Sequence, residues 1–472
     1  MNKLTSFDYD LIVIGSGPSG QRAAIQAAKI GKRVSIIEKN KSVGGVCTNT
    51  GTIPSKTFRE AALHLSGFRE RGIYGSSYRV KQDISIEDLL FRVQQVINLG
   101  IDLVKNQMSR NRVELIEAKA SFIDPHRIEL TSDNGDGKHQ ITGDKIVIAC
   151  GTDAARDSNL PFDGQRVFTS DDIPGLKQLA RSIIIVGAGV IGVEYATMFA
   201  ALGIKVTIID KRATLLPFLD HEISAALTYV AQQNNITMRL SEEVVSMQII
   251  ESDIKTVEVK LKSGKVLRAE ACLYSIGRIG ATENLALDRA GINRDDRNRI
   301  TVNEYFQTNI SHIYAVGDVI GFPALASASY EQGRAAARHA FGINDELKSG
   351  IGLSPYGIYT IPEISTIGKS EHELTDEGVP YEIGKAHYRE IARGQIIGDS
   401  TGILKLIFNP DDKKILGIHI LGEGASELIH IGQAVMAHEG TIDYFVNAVF
   451  NFPTLGECYK TAALDGLNRL SI

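Results

Sequence analysis

Residues 10–39 read DLIVIGSGPSGQRAAIQAAKIGKRVSIIEK, and residues 182–211 read SIIIVGAGVIGVEYATMFAALGIKVTIIDK. Each segment runs from an apolar strand through a glycine turn into a helical stretch and a second apolar strand that ends at an acid. The acid, Glu38 or Asp210, follows the third glycine of its turn by 18 residues in both copies. The turns contain Gly15, Gly17 and Gly20 in the first copy and Gly187, Gly189 and Gly192 in the second. This duplication predicts an α/β fold built on two strand–helix–strand units.

Both units carry the elements of a dinucleotide-binding site. Glycines let the backbone and the helix N-terminus approach a pyrophosphate, where free N–H groups and the helix dipole favour an anion. The acid at the end of the second strand is placed to bind a ribose diol. A glycine pattern alone marks many ordinary turns, but here each copy lies between a strand and a helix and has its acid at the required distance. We therefore predict two Rossmann-like dinucleotide-binding domains rather than doubly wound domains without a nucleotide.

Composition narrows the class of ligand. The chain has 472 residues and a net charge of -5 without a basic run, which argues against nucleic acid or an anionic membrane as a partner.

The apolar stretch near the N-terminus is too short for a signal peptide, so we expect a cytoplasmic protein. Residues 183–204 hold a single charge, Glu194, and their glycine pattern favours a buried strand and helix over a membrane span. No metal site is expected, because the four cysteines lack metal-ligand spacing.

Three further segments add a resemblance to a known family. They are GGVCTNTGTIPSK at residues 44–56, TNISHIYAVGD at 308–318 and GIYTIPEISTIG at 357–368. Together with the two glycine turns, they resemble the flavoproteins with two dinucleotide-binding domains, the family of glutathione reductase and lipoamide dehydrogenase, over essentially the whole chain. The resemblance implies that the first unit binds FAD, that the second binds NAD(H) or NADP(H), and that a C-terminal α+β domain forms a homodimer or a higher homo-oligomer.

The resemblance also implies a division of the chain. Residues 1–152 and 281–348 would form the two parts of the FAD-binding domain, and residues 153–280 would form the NAD(P)-binding domain. Residues 349–472 would form the interface domain. Within this division, the sequence pattern predicts an amphipathic helical excursion over residues 86–110, an alanine-rich helix over residues 324–341 and a polar, glycine-containing joint at residues 344–352.

Two departures from the disulfide reductases of this family occur together. Cys47 is present, but the second redox cysteine is replaced by Thr52, and the histidine of the C-terminal run is replaced by Phe452, which precedes Pro453 and Thr454. A thiol relay needs both the second sulfur and the acid–base group. The segments GTIPSK, FNFPTLGE and TAALDGLNRL resemble a branch of the family that transfers hydride between NADPH and NAD+ without a disulfide. Because FAD would fill the first site, we expect a ping-pong cycle in which the two nicotinamide nucleotides occupy the second site in turn.

The resemblance assigns roles to individual residues. Lys56 would lie beside the flavin N5 and pair with Glu194, with Cys47 and Thr52 completing the catalytic set. The residues expected at FAD are Gly15, Gly17, Gly20, Glu38, Lys39, Gly45, Cys47, Lys56, Gly151, Asp318 and Ala326. The residues expected at the nicotinamide nucleotide are Gly187, Gly189, Gly192, Glu194, Asp210, Lys211, Arg212 and Gly277.

Several alternatives stay open at this point. Asp210 suits the 2′-hydroxyl of NAD, whereas Lys211 and Arg212 suit the 2′-phosphate of NADP or are solvated surface charges. Cys47 is either a packing residue or a thiolate with a lowered pKa. Phe452 either closes the pocket or packs in the core of the interface domain.

Two other functions compete with nucleotide transhydrogenation. The first is a diaphorase or NAD(P)H oxidase that passes electrons to quinone or oxygen. The second is a flavin-binding sensor without a catalytic role. The sequence does not fix the direction of hydride transfer.

Overall fold

The computed structural model describes residues 7–75, 77–132, 137–251, 255–343 and 353–470. The polar joint expected at residues 344–352 lies outside these ranges. Within them, no helix has the length and apolar character needed to cross a membrane.

The first glycine-turn unit forms a parallel sheet with an antiparallel extension. Its strands are β1 (Tyr9–Ile14), β2 (Val34–Glu38), β3 (Glu114–Glu117), β4 (Lys119–Asp124), β5 (Arg127–Thr131) and β6 (Lys138–Ile148). Its helices are α1 (Pro18–Lys29), α2 (Gly45–Asn49), α3 (Thr52–Ser66), α4 (Arg71–Tyr74) and α5 (Ile86–Arg110). The order is β3-β2-β1-β6-β5-β4, and β6 pairs parallel with β1 and antiparallel with β5. The glycine turn between β1 and α1 therefore lies at the carboxyl edge of the parallel strands, where α/β sheets bind ligands.

The second unit repeats this arrangement. Its strands are β7 (Thr152–Ala154), β8 (Val167–Phe168), β9 (Ser182–Val186), β10 (Lys205–Asp210), β11 (Ile236–Leu240), β12 (Val244–Ile250), β13 (Thr256–Leu261), β14 (Val266–Ala269), β15 (Ala271–Tyr274) and β16 (Arg278–Gly280). Its helices are α6 (Val190–Ala201) and α7 (His221–Gln233). The parallel sheet has the order β11-β10-β9-β15-β8, and β12, β13 and β14 form an antiparallel sheet. As predicted, the apolar residues 183–204 form a buried strand and a largely buried helix.

The chain then returns to the first sheet. Strand β17 (Ile313–Ala315) pairs parallel with β6, and helix α8 (Ala326–Ala340) packs against α1. The sequence pattern predicted that this helix begins at Ala324, which is two residues too early. Ala324 has a φ of 48°, a left-handed conformation that does not continue a right-handed helix.

The C-terminal segment forms a separate α+β layer. Its strands are β18 (Tyr356–Ile358), β19 (Ile364–Gly368), β20 (Glu382–His387), β21 (Ile403–Phe408) and β22 (Ile415–Leu421). Its helices are α9 (Glu371–Glu377), α10 (Ala392–Ile397), α11 (Ala425–Ala437), α12 (Asp443–Asn447) and α13 (Glu457–Leu470). The antiparallel sheet has the order β18-β19-β22-β21-β20, and α11 and α13 pack on it.

Candidate functional site

The first glycine turn forms an open backbone cradle. Gly15 has a φ of 106°, and a Cβ at Gly20 would lie 2.0 Å from the Gly15 carbonyl oxygen, so both positions need glycine. A Cβ at Gly17 would meet no described protein atom within 4 Å, because this residue faces open space. No side chain among the described residues caps the N-terminus of α1. Free backbone N–H groups and open space thus coincide, as an anion site requires.

Glu38 ties this turn to the segment that contains Cys47. Its carboxylate accepts hydrogen bonds from the Ser16 backbone N–H at 3.1 Å and the Ser16 hydroxyl at 2.6 Å. The same hydroxyl accepts a hydrogen bond from the Gly44 N–H at 2.9 Å. A Cβ at Gly45 would lie 3.0 Å from the Gly17 Cα. The residues predicted from two separate motifs therefore lie together along one side of the glycine turn, and we call this side the wall.

Asp318 adds a second acid to this wall. Burial raises its pKa, against an opposing effect of Arg278, and its charge in turn acts on the Cys47 thiol. Ala326 is the first residue of α8, whose N-terminus receives no side-chain hydrogen bond from the part of the chain that the structure describes.

Two other predicted FAD residues lie at the edge of the first unit. Gly151 follows β6 with a φ of 68°, and its carbonyl accepts a hydrogen bond from the Ala281 N–H. Lys39 forms an exposed ion pair with Asp153 at 3.8 Å.

Lys56 and Glu194 form an ion pair between the two nucleotide units. The Lys56 Nζ lies 2.8 Å from Glu194 Oε2 and 3.1 Å from Oε1, and the Glu194 side chain is only 4% exposed. Tyr359 of the C-terminal layer completes the arrangement, since its backbone N–H donates to Glu194 Oε1 at 2.8 Å and its ring lies 4.8 Å from Nζ. The ring and the carboxylate together stabilise an ammonium group in a partly buried position.

Cys47 is a packed thiol. Burial raises its pKa, an effect that a hydrogen bond with Thr52 and the Lys56 charge only partly offset. This direction favours the packing residue over the thiolate with a lowered pKa. Cys458 lies fully buried in the C-terminal core, and burial raises its pKa to about 12. It is therefore not positioned as a replacement redox partner.

We expect iodoacetamide to modify Cys47 more slowly at pH 7 than a free cysteine, because only the thiolate reacts. Since the folded pKa is raised, the rate should still be increasing with pH near pH 9. Peptide mass spectrometry after timed alkylation measures this rate, with the fully buried Cys272 as an internal reference. Complete modification of Cys47 at pH 6 before any reaction of an added model thiol would contradict the expectation.

The second glycine turn has the same geometry as the first. Gly187 has a φ of 107°, and a Cβ at Gly192 would lie 1.9 Å from the Gly187 carbonyl oxygen. The Asp210 carboxylate accepts a hydrogen bond of 2.6 Å from the Ala188 backbone N–H. Gly277, with a φ of 136°, follows β15 in this unit. The acid and the turn are thus joined as in the first unit.

Arg212 pairs directly with Asp210. Its Nε donates to Oδ1 at 2.9 Å and its Nη2 to Oδ2 at 2.7 Å, so the guanidinium and the carboxylate form a bidentate ion pair. Burial alone would raise the pKa of Asp210, but the hydrogen bonds from Arg212 and Ala188 lower it overall. Lys211 and Arg212 are both exposed. Because Arg212 is held in the ion pair with Asp210, it is more than a solvated surface charge.

Arg278 and Asp171 join the two units and were not predicted from the sequence. The guanidinium of Arg278 forms bonds of 2.9 and 3.1 Å with Asp171 and donates to the side chain and carbonyl of Thr152. Asp171 also accepts a 3.4 Å hydrogen bond from Thr50. Arg278 directly follows the predicted Gly277, which was the only available signal, because its partners lie far away in sequence.

Phe452 is 73% exposed in the single chain, so it is not a core aromatic of the C-terminal layer. Glu457 begins α13, and its Oε2 is buried without a hydrogen-bond partner among the described residues.

Comparisons with known proteins agree with this geometry. Residues 9–333 match the model of the pyridine nucleotide-disulphide oxidoreductase family, and residues 354–463 match the dimerisation domain of that family. A relative from Mycobacterium bovis named soluble pyridine nucleotide transhydrogenase is 53% identical over 98% of both chains. A Colwellia psychrerythraea protein of the same name is 45% identical over 98% of this chain and 99% of its own.

Solved structures show the same architecture. LpdA from Mycobacterium tuberculosis superposes with a TM-score of 0.88 at 25% identity, covering 96% of this chain and 99% of its own. The HOCl-induced flavoprotein disulfide reductase RclA from Escherichia coli has a TM-score of 0.86 at 26% identity, covering 97% and 99%. The chain belongs to the pyridine nucleotide-disulphide oxidoreductase family.

Proposed function

We propose that this protein is an FAD-dependent transhydrogenase that moves hydride between NADPH and NAD+. The observation that carries the proposal is the combination of two complete glycine turns and the Lys56–Glu194 pair with a single thiol at Cys47, which has Thr52 beside it in place of a second sulfur. Such a site can bind two dinucleotides but cannot form a disulfide. The name of the relatives at 45 and 53% identity supports the same activity.

The residues of the first unit fit FAD. The open space at Gly17 and the uncapped α1 N-terminus suit a pyrophosphate, and Glu38 suits a ribose diol. The half-buried Asp318 suits hydroxyl donors of the ribityl chain. We assign residues 1–152 and 281–348 to this FAD-binding domain, residues 153–280 to the nicotinamide nucleotide and residues 349–472 to the interface.

The chain contributes charge and orientation to the reaction. When bound, FAD supplies a ring that accepts hydride at N5 and can return it to a second nicotinamide. Lys56 would supply positive charge to the bound ring, and Glu194 together with Tyr359 holds the ammonium in place. Because the second glycine turn serves both nicotinamide nucleotides, NADP+ leaves before NAD+ enters.

The interface domain supports assembly as a homodimer. Phe452 and Val449 are 73% and 96% exposed, which is unusual for large apolar side chains in a segment that belongs to a dimerisation domain. We propose that a second copy covers this segment and that Phe452 closes the partner's pocket where a disulfide substrate enters in related enzymes.

A two-stage anaerobic experiment tests the function. The FAD-loaded protein is reduced with NADPH, freed of NADP+ by gel filtration and then mixed with NAD+, lipoamide, a quinone or air. We expect rapid flavin reoxidation by NAD+ with one NADH formed per flavin. Slow reoxidation by NAD+ beside rapid reoxidation by quinone or air would instead identify a diaphorase or an oxidase. Reoxidation by none of the acceptors would favour a sensor.

A further inference from the structure

The two nucleotide units differ at one equivalent position. Two residues after the acid, Asn40 of the first unit and Arg212 of the second both donate their backbone N–H to the carboxylate, at 3.0 and 2.8 Å. Among the described residues, the side chain at this position bonds to the acid in the second unit alone, where Arg212 forms a bidentate ion pair with Asp210. The acid of the first unit is bonded to neutral donors, whereas the acid of the second carries a paired cation.

The hydrogen-bonding capacity of Asp210 is filled. Its two oxygens accept four hydrogen bonds, from the Ala188 N–H, the Arg212 N–H and two guanidinium nitrogens, which matches the roughly four acceptor positions of a carboxylate. The two backbone donors belong to the turn itself. The guanidinium bonds are the ones that a ligand can exchange, since the Arg212 side chain is 41% exposed.

Arg212 also lies where the adenosine ribose has to bind. A Cβ at Gly189 would be 4.0 Å from its Nη2, which places the guanidinium beside the glycine turn. Its Nη1 has no hydrogen-bond partner among the described residues. The group therefore has a donor available while it remains bonded to Asp210.

We infer that the Asp210–Arg212 pair allows one site to accept both nucleotides, an inference that rests on the proposed function. When a 2′-phosphate enters, Arg212 stays on Asp210, cancels its charge and donates Nη1 to the phosphate. When a 2′-hydroxyl enters, it replaces one guanidinium bond and donates to the carboxylate. An unpaired aspartate would repel the phosphate, and an arginine without the aspartate would leave the hydroxyl without its acceptor.

Calorimetric titration of the FAD-loaded protein with 2′,5′-ADP and with 5′-ADP tests this inference. The main variant is Arg212→Asn, which copies Asn40 of the first unit. We expect it to weaken 2′,5′-ADP by roughly 10- to 100-fold, the effect of one or two charge-assisted hydrogen bonds, and to leave 5′-ADP unchanged or slightly tighter. Asp210→Asn should do the reverse and weaken 5′-ADP.

The double variant separates a coupled pair from two independent residues. With Asp210→Asn already present, Arg212→Asn should cost clearly less 2′,5′-ADP affinity, because no unpaired carboxylate remains. Lys211→Ala removes the same charge one residue away and should weaken 2′,5′-ADP less than Arg212→Asn does. Equal penalties in both backgrounds, or equal weakening of both ligands by Arg212→Asn, would overturn the inference. Fragment binding needs no hydride transfer, so failure here is distinct from failure of the two-stage experiment.

Discussion

Replacement of Lys56 by methionine should slow reduction of the bound flavin by NADPH by at least about 100-fold, the scale seen when one electrostatic stabiliser is removed from an active site. Methionine keeps the length and apolar character of the lysine stem but removes the charge. It leaves the Glu194 carboxylate, 4% exposed, with the Tyr359 N–H and without its cation. Stopped-flow absorbance measures the reduction rate, and equilibration with a reference dye measures the flavin potential, which should fall.

Glu194→Gln is the matched control for this variant. Glutamine keeps the shape and the hydrogen bond from Tyr359 while removing only the counter-charge, so Lys56 stays beside the site and the rate should fall less. Bound flavin is measured in both variants from the absorbance released on denaturation, which separates a slow site from an empty one. A Lys56→Met protein with full flavin content, an unchanged potential and a rate within threefold of the parent would remove Lys56 from the mechanism.

The architecture was largely predictable because its signals are local. Both strand–turn–helix units follow from glycines whose φ values or close contacts exclude a side chain, as at Gly15 and Gly192. Helix α5 (Ile86–Arg110) matches the predicted helical excursion at both ends, since Ser85 and Asp88 form a capping box at its start. Missed features depend on pairing between strands, such as the antiparallel extension formed by β4, β5 and the first half of β6.

The candidate site was predictable where a single motif or the family resemblance specifies the whole feature. The sequence placed Lys56 and Glu194 together through family resemblance, and the structure brings them into contact. Tyr359 was not predicted as their third partner, although it lies in the family-like segment at residues 357–368. Its role depends on a backbone N–H and on the position of its ring, which the sequence does not specify. Nor could it show that Arg212 turns back onto Asp210, since a charge two residues from an acid is equally able to face solvent.

A second large effect is expected at Lys405, which joins the second nucleotide unit to the C-terminal layer. This fully buried ammonium bonds to Asp220 at 2.9 Å, to Glu222 at 3.1 Å and to Glu371. Burial would lower the pKa of Lys405, but the three carboxylates raise it overall. Lys405→Met would leave these acids without their shared cation, and Asp220 is itself 1% exposed. We expect a loss of about 3–5 kcal/mol in the free energy of unfolding at pH 7, measured by urea denaturation.

The deficit of Lys405→Met should depend on pH with a defined sign. In the parent, burial raises the pKa values of Asp220 and Glu222. Positive charges and hydrogen bonds lower these pKa values by more, so both are lowered overall. Their stabilisation is therefore present above about pH 4 and is lost as the pH falls through the folded pKa values. Without Lys405, burial raises these pKa values relative to the parent, and the folded variant takes up protons at a higher pH. The difference between variant and parent should then shrink from pH 7 to pH 5.

Lys385→Met provides the comparison that assigns this effect to the buried position. Lys385 bonds to the same Glu222 at 2.7 Å but is 26% exposed, so its removal exposes no deeply buried charge and should cost about 1 kcal/mol or less. His419 is fully buried near Asp220; burial lowers its pKa, and its positive charge when protonated is the largest effect that lowers the pKa of Asp220. Protonation of His419 on acidification would add positive charge beside Asp220 and so shrink the Lys405→Met deficit in the same direction. If the two lysine variants lost equal stability, or if the Lys405→Met deficit grew on acidification, the three acids would not depend on Lys405 for their charge.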